Sequence, residues 1–156
     1  MSISKVEITT FEPKYAADFA RLNLEWIEKY FVVEEQDREV LGKPGLHIME
    51  PGGQIFLALR DGVAVGTVAL IPVGEDAFEL AKMAVTPSCK GQNIGKRLML
   101  RAIDYALQEG KKKLIIVSNT SLTAALNLYL RFGFKPIPLS ENEEYERVNI
   151  KLEKVL

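Results

Sequence analysis

The chain carries one cysteine, Cys89, and one histidine, His47, among its 156 residues. A lone thiol cannot close an internal disulfide, so a reducing, cytoplasmic compartment is the expectation. One His and one Cys also fall short of the roughly four ligands of a zinc site, and no metal is expected. No apolar run approaches the roughly 20 residues that cross a bilayer. The opening MSISKVEITTFEP has no apolar stretch of the kind that directs secretion. A membrane partner is therefore not expected. Charge of one sign is missing too: 20 Lys and Arg face 21 Asp and Glu, a net charge of −1. Without a basic excess, nucleic acid is not an expected partner. No repeat, low-complexity tract or Pro/Gly/Ser linker divides the chain, so residues 1–156 read as a single domain. With 47% hydrophobic residues, that domain can build a core without metal or disulfide staples.

The periodicity of the apolar residues supplies the elements. Ser4 to Thr10 alternates and reads as a strand. Residues 13–30 read as an amphipathic helix, opened by Pro13, with Phe19, Leu22 and Trp26 at helical spacing. A shorter helix is expected over Glu34 to Leu41. Gly42 to Gly53 holds four glycines and two prolines and reads as loop. Gln54 to Arg60 and Val63 to Val73 read as a hairpin joined by the turn Asp61-Gly62. Phe78 to Val85 is a further strand. Lys96 to Gln108 reads as a helix, with Leu98, Ile103, Ala106 and Leu107 inward and Gly110 closing it. Leu114 to Val117 suits a buried strand, and Ser121 to Phe132 a helix ended by Gly133. Phe134 to Ile137 and Glu146 to Leu152 are closing strands. The order is β-α-α-β-β-β-α-β-α-β-β, a mixed sheet with helices on its faces.

The most informative stretch is ELAKMAVTPSCKGQNIGKRLM, Glu79 to Met99. A buried strand enters a turn bearing Gly91 and Gly95 and runs straight into a helix. Glycines let main-chain N–H groups approach a ligand, and a helix N-terminus adds unpaired donors and the positive end of its dipole. Lys90, Lys96 and Arg97 add charge. The combination suits a pyrophosphate; a merely tight strand-to-helix connection is the plainer alternative. Neither G-x-x-x-x-G-K-[ST] nor G-x-G-x-x-G is present.

The hexad Lys90-Gly91-Gln92-Asn93-Ile94-Gly95 resembles the CoA-pyrophosphate motif [R/Q]-x-x-G-x-[G/A] of the GCN5-related N-acetyltransferase (GNAT) superfamily. Lys90 stands where Arg or Gln is usual. Asn93 stands where Gly is usual, and Asn is the residue other than Gly best suited to a left-handed backbone. A second stretch, Ala125 to Phe134, resembles the family's A-x-x-L-Y-x-x-x-G-F. Leu122 stands where many members carry Asn. Asn119 or Ser118 would have to replace its contact with CoA.

The resemblance implies an α/β (α+β) fold, with a mixed, mostly antiparallel sheet of about six to seven strands flanked by about four helices. It implies acetyl-CoA as co-substrate and a neutral amine attacking the thioester directly. Met83, Ala84, Val85, Lys90, Gly91, Gln92, Asn93, Ile94, Gly95, Lys96, Asn119 and Tyr129 are the expected CoA contacts. Tyr129 is the candidate acid for the departing thiolate, against a packing role among Leu126, Leu130 and Phe134. Glu79 is the candidate base, against a strand-end carboxylate or a partner of Lys82. A main-chain N–H of Ala84 or Val85 would polarise the thioester oxygen.

A nucleophilic Cys89 would need a partner base, and His47 is distant in sequence. The resemblance implies that the first two helices and their loop cover the acceptor, so Trp26, Tyr30 and Glu34 are the expected acceptor contacts, where carboxylates beside aromatic rings would suit a cationic amine. A solvated helix face and a core Trp26 are the plainer alternative. The partner expected is thus an amine acceptor, small molecule or peptide. Polyamines, amino acids, aminoglycosides and protein N-termini all remain open. A homodimer pairing strands around Arg147 to Leu152 is a further expectation. Two rival functions stand beside the enzyme: a non-catalytic CoA-binding or sensor module on the same fold, and an unrelated nucleotide-phosphate binder.

Overall fold

Seven strands form one sheet in the order β1-β2-β3-β4-β5-β7-β6 in a computed structural model that describes residues 5–89, 92–140, 143 and 145–156. The strands are β1 Val6–Thr10, β2 Gln54–Arg60, β3 Val63–Val73, β4 Ala77–Val85, β5 Lys113–Ser118, β6 Lys135–Ile137 and β7 Ile150–Val155. The helices are α1 Ala16–Tyr30, α2 Glu35–Gly42, α3 Ile94–Gln108 and α4 Thr123–Arg131. Every neighbouring pair is antiparallel except β4 and β5. That parallel pair needs a crossover, and α3 supplies it. The mixed, mostly antiparallel sheet that the resemblance implies is the one observed. Among the described residues no helix is long and apolar enough to cross a membrane.

Alternation along the strands divides the core into two clusters, one on each face of the sheet. Phe56, Val68, Leu80, Leu98, Ala102 and Phe134 meet under α3. Phe19, Leu22, Ile27, Ile55, Leu57 and Ala69 meet under α1 and α2. Gly66 sets how closely α3 sits on β3. A Cβ there would lie 3.1 Å from both Ile94 and Leu98 side chains. Asp61 and Gly62 both take positive φ, 51° and 83°, as a two-residue hairpin turn between twisted strands requires.

Several boundaries move. Pro13–Tyr15 forms a separate 3₁₀ turn before α1. The glycine-rich stretch after α2 contains a wide helical turn, Gly45–Met49, that buries Ile48. Leu107, expected inward, is 53% exposed, and the burial stripe of α3 runs through Leu98, Met99, Ala102 and Ala106. The largest correction is at the end of the chain. Glu146 and Arg147 lie in a turn, and the last strand begins only at Ile150. Arg147 is drawn out of the strand path by carboxylates on α2 and the segment before it. Strand β7 lies between β5 and β6, so its edges are taken within the chain.

Candidate active site

Strand β4 pairs with β5 only at Ala77, Phe78 and Glu79. Beyond Glu79 the two strands part, while β5 continues along β7 as far as Ser118. A bulge on β4 accompanies the parting. Thr67 of β3 faces Ala84, and Ala69 faces Ala81, so β4 carries one residue more than its partner. Lys82 takes up the excess at φ 53°, in the left-handed region. For a long side chain that conformation costs roughly 1–2 kcal/mol, which the surrounding contacts must hold.

The wedge between the strands opens into a cavity of about 480 Å³. Its walls include Leu80 to Val85 from β4, Ile116 to Asn119 from β5 and beyond, and Tyr129 from α4. Trp26, Tyr30 and Phe31 line it from α1 and the segment after it. Of the residues expected from the sequence, Trp26, Tyr30, Glu79, Met83, Ala84, Val85, Asn119 and Tyr129 are therefore brought to one cavity. Ser118 also reaches the wall, but Asn119 is engaged locally. Its Nδ2 donates to the Arg147 carbonyl at 2.7 Å, and its Oδ1 accepts from the Ser121 N–H at 2.8 Å.

Tyr129 is 8% exposed and meets Phe134 edge-on, with ring centroids 6.2 Å apart. It thus packs and lines the cavity at once. Burial pushes its hydroxyl up to about 12, so it keeps its proton at neutral pH. Gly133, at φ 89°, ends α4, and the Phe134 N–H returns to the Tyr129 carbonyl at 3.1 Å.

The turn into α3 lies at the end of β4. Lys90 and Gly91 fall outside the described residues. Gln92 and Asn93 are exposed. Asn93 adopts φ 62° and ψ 18°, the left-handed conformation for which Asn is suited. The first turn of α3 has neither an acidic residue nor a side-chain cap. It holds Lys96 and Arg97 instead, cations where the helix dipole favours anions by about 0.3–1 kcal/mol each. Arg97 is anchored by its Nη1 donating to the Val6 carbonyl at 2.9 Å. At Gly95 a Cβ would meet no atom closer than 3.8 Å. The fold itself does not require a glycine there. Uncapped N–H groups, basic side chains and an unshielded main chain fit the phosphates of CoA.

The acceptor side differs from the sequence expectation. Glu34 is not a cavity carboxylate. It closes a capping box with Asp37 at the start of α2, and its oxygens accept from the Glu146 N–H at 3.0 Å and Arg147 Nη1 at 3.3 Å. Asp37 is fully buried. It accepts from Arg147 Nη1 at 2.7 Å and Nη2 at 2.6 Å, and from Lys82 Nζ at 3.1 Å. Burial pushes the Asp37 carboxyl upward, but the Arg147 and Glu34 hydrogen bonds and the Lys82 charge outweigh it and hold it at about 2. Burial also drives the Lys82 ammonium below the usual lysine range, against the pull of Asp37. Lys82 donates further to the Tyr145 hydroxyl at 2.9 Å. Lys82 and Arg147 line the cavity, and the carboxylates that hold them stand behind. His47 lines the cavity too, its Nε2 3.1 Å from Glu39 Oε1. Cys89 is instead buried beside Arg60 Nη1, at 3.2 Å from its sulfur.

The chain also resembles known proteins in sequence and in fold. The acetyltransferase (GNAT) family profile matches residues 20–134, and the chain belongs to that family. An uncharacterized N-acetyltransferase of Schizosaccharomyces pombe is 30% identical over 141 residues, covering 86% of this chain and 83% of that one. N-acetyltransferase 8 of Rattus norvegicus is 29% identical over 94 residues, and the match spans 42% of its length. Among solved structures, an acetyltransferase of the GNAT family from Staphylococcus aureus superposes with a TM-score of 0.88 at 20% identity, over 97% of this chain and 99% of that one. The PaiA N-acetyltransferase of Thermoplasma acidophilum, solved in complex with coenzyme A, superposes with a TM-score of 0.78 at 19% identity, covering 97% and 99%.

Proposed function

We propose that this protein is an acetyl-CoA-dependent N-acetyltransferase that moves an acetyl group onto a primary amine of a small molecule or peptide by direct attack. One observation carries the reading. Where β4 parts from β5 beyond Glu79, one cavity is lined by Glu79, Met83, Ala84, Val85 and Tyr129, and this juxtaposition supports the reading. Family membership and the basic, uncapped start of α3 support it.

Residues 92–96, with Lys90 and Gly91, would hold the CoA pyrophosphate. Acetyl-CoA supplies an acyl group already activated toward amines. The chain's own residues do the rest. Glu79 takes a proton from the acceptor ammonium, directly or through water, because only a neutral amine carries the attacking lone pair. Main-chain N–H groups of Ala84 or Val85, on the stretch of β4 with no partner on the β5 side, stabilise charge on the carbonyl oxygen. The Tyr129 hydroxyl, protonated across the working pH range, donates to the departing sulfur.

The test is release of free CoA thiol from acetyl-CoA across amino acids, polyamines, aminoglycosides and peptide amines, with the product identified by its added acetyl mass. Tight acetyl-CoA binding with no acetylated product from any class would leave a binding module in place of the enzyme.

A further inference from the structure

Five ionisable side chains cluster at the acceptor end: carboxylates Glu34, Asp37 and Glu79, and cations Lys82 and Arg147. Their arrangement is layered. Glu34 and Asp37 sit behind, while Arg147, Lys82 and Glu79 line the cavity. The Arg147 guanidinium is held in a fixed plane. Its carbon lies 4.4 Å from the Tyr145 ring centre, 5.8 Å from Trp26 and 6.0 Å from Phe31. Nη1 donates to Glu34 and Asp37, and Nη2 gives one hydrogen to Asp37. A guanidinium has five N–H donors in a rigid fork. The remaining two, on Nε and Nη2, point together along the fork's other edge, which is the edge a carboxylate can take in bidentate fashion. Arg147 lines the cavity with its Nη1–Nη2 edge taken by Asp37, so this second edge is the one a ligand in the cavity can meet.

Building on the acetyltransferase reading above, we infer that the acceptor is an amino acid, an amine that also bears a carboxylate, and that the Nε/Nη2 edge of Arg147 grips that carboxylate. A cavity wall that carries Glu79 together with Arg147 and Lys82 suits a zwitterion. Lys82 feels both Arg147 and Glu79, so the anion-binding edge and the candidate base share one electrostatic neighbourhood. On the wall itself one carboxylate, Glu79, stands with two cations, Lys82 and Arg147. A zwitterion meets both signs, its ammonium toward Glu79 and its carboxylate toward Arg147. A diamine would set a second ammonium against the cations of the lining.

Matched acceptors test the inference: several α-amino acids, each beside its primary amide and its decarboxylated amine, in the thiol-release assay. The free acids should exceed both analogues in kcat/KM by at least about tenfold, the worth of a charge-assisted bidentate contact. Arg147→Lys keeps a cation beside Asp37 but loses the fork. It should remove the preference by lowering kcat/KM for the acids about tenfold more than for their amides. Arg147→Gln, checked for folding by its urea midpoint, should do the same. Amides or decarboxylated amines used as well as the acids would overturn the inference and leave the enzyme intact. Absence of thiol release from every amine would overturn the enzymatic reading instead. Calorimetry on the CoA-bearing protein would then decide the carboxylate site. Binding of N-acetyl amino acids but not their amides, lost in Arg147→Lys, upholds it; equal binding or none refutes it.

Discussion

Replacing Asp37 by Asn tests the buried charge cluster most severely. The wild-type carboxylate is fully buried and accepts three hydrogen bonds from Arg147 and Lys82, plus one from the Glu34 N–H. Asn keeps much of the shape and can still accept at one oxygen, but it takes away the charge that Lys82 and Arg147 share, leaving Glu34 beside Arg147 and Glu79 near Lys82. Breaking one side of a buried pair typically costs about 3–5 kcal/mol. With a urea slope of about 2 kcal/mol/M, the midpoint should fall by about 2 M. A second readout isolates the charge. The folded carboxyl titrates at about 2 and the unfolded one at 3.8. Its contribution is full above 3.8 and drains away as pH falls through about 2. That window holds about 2 kcal/mol of wild-type stability, and Asp37→Asn should flatten it. Lys82→Met combined with Asp37→Asn should lose less than the two single variants together, because the second change removes a cation the first has stranded. An Asp37→Asn midpoint within 0.5 M of wild type, at the same assumed slope of about 2 kcal/mol/M, would show Arg147 and Lys82 solvated, and the layered cluster would be wrong.

Two predictions concern the chemistry. Tyr129→Phe removes one hydroxyl and keeps the ring against Phe134. It should lower kcat by about 10–100-fold, the loss of a hydrogen bond to developing charge, with little change in acetyl-CoA affinity; unchanged turnover removes Tyr129 from the mechanism. Glu79→Gln should abolish the acid-side inflection in the pH dependence of kcat/KM, and an intact inflection would assign the base elsewhere.

Local chemistry was readable in the sequence, and long-range pairing was not. The hairpin at Asp61-Gly62 follows from residue types alone, the left-handed backbone at Asn93 from the family motif in which it stands for a glycine, and both are present. The course of β4 into α3 also followed from periodicity, to within two residues at the helix start. Tyr129 was expected from its motif and Glu79 from its place on the strand leading into the CoA turn, and both line the cavity. The acceptor end was misread because charges were visible while their partners were not. Asp37 meets Lys82 from 45 residues away and Arg147 from 110. Arg147 looked like strand because alternation continues through its neighbourhood. Only the buried carboxylates explain why it leaves the ladder. The bulge at Lys82 likewise has no local signature beyond a lysine among apolar residues of β4. His47, set aside in the sequence for its distance, reaches the cavity because the wide turn at Gly45–Met49 folds it back.

The account rests on an anion seated at the start of α3, and Lys96→Glu tests that contact directly. Lys96 is exposed and makes no ion pair among the described residues. A glutamate in the first helical turn complements the dipole, so the fold should be unharmed or steadier by a few tenths of a kcal/mol. Calorimetric titration should nonetheless show acetyl-CoA affinity weakened by about tenfold or more, since a charge facing the phosphates has been reversed. Stability held and affinity lost is the predicted pair; acetyl-CoA bound as tightly as by the wild type would contradict the site.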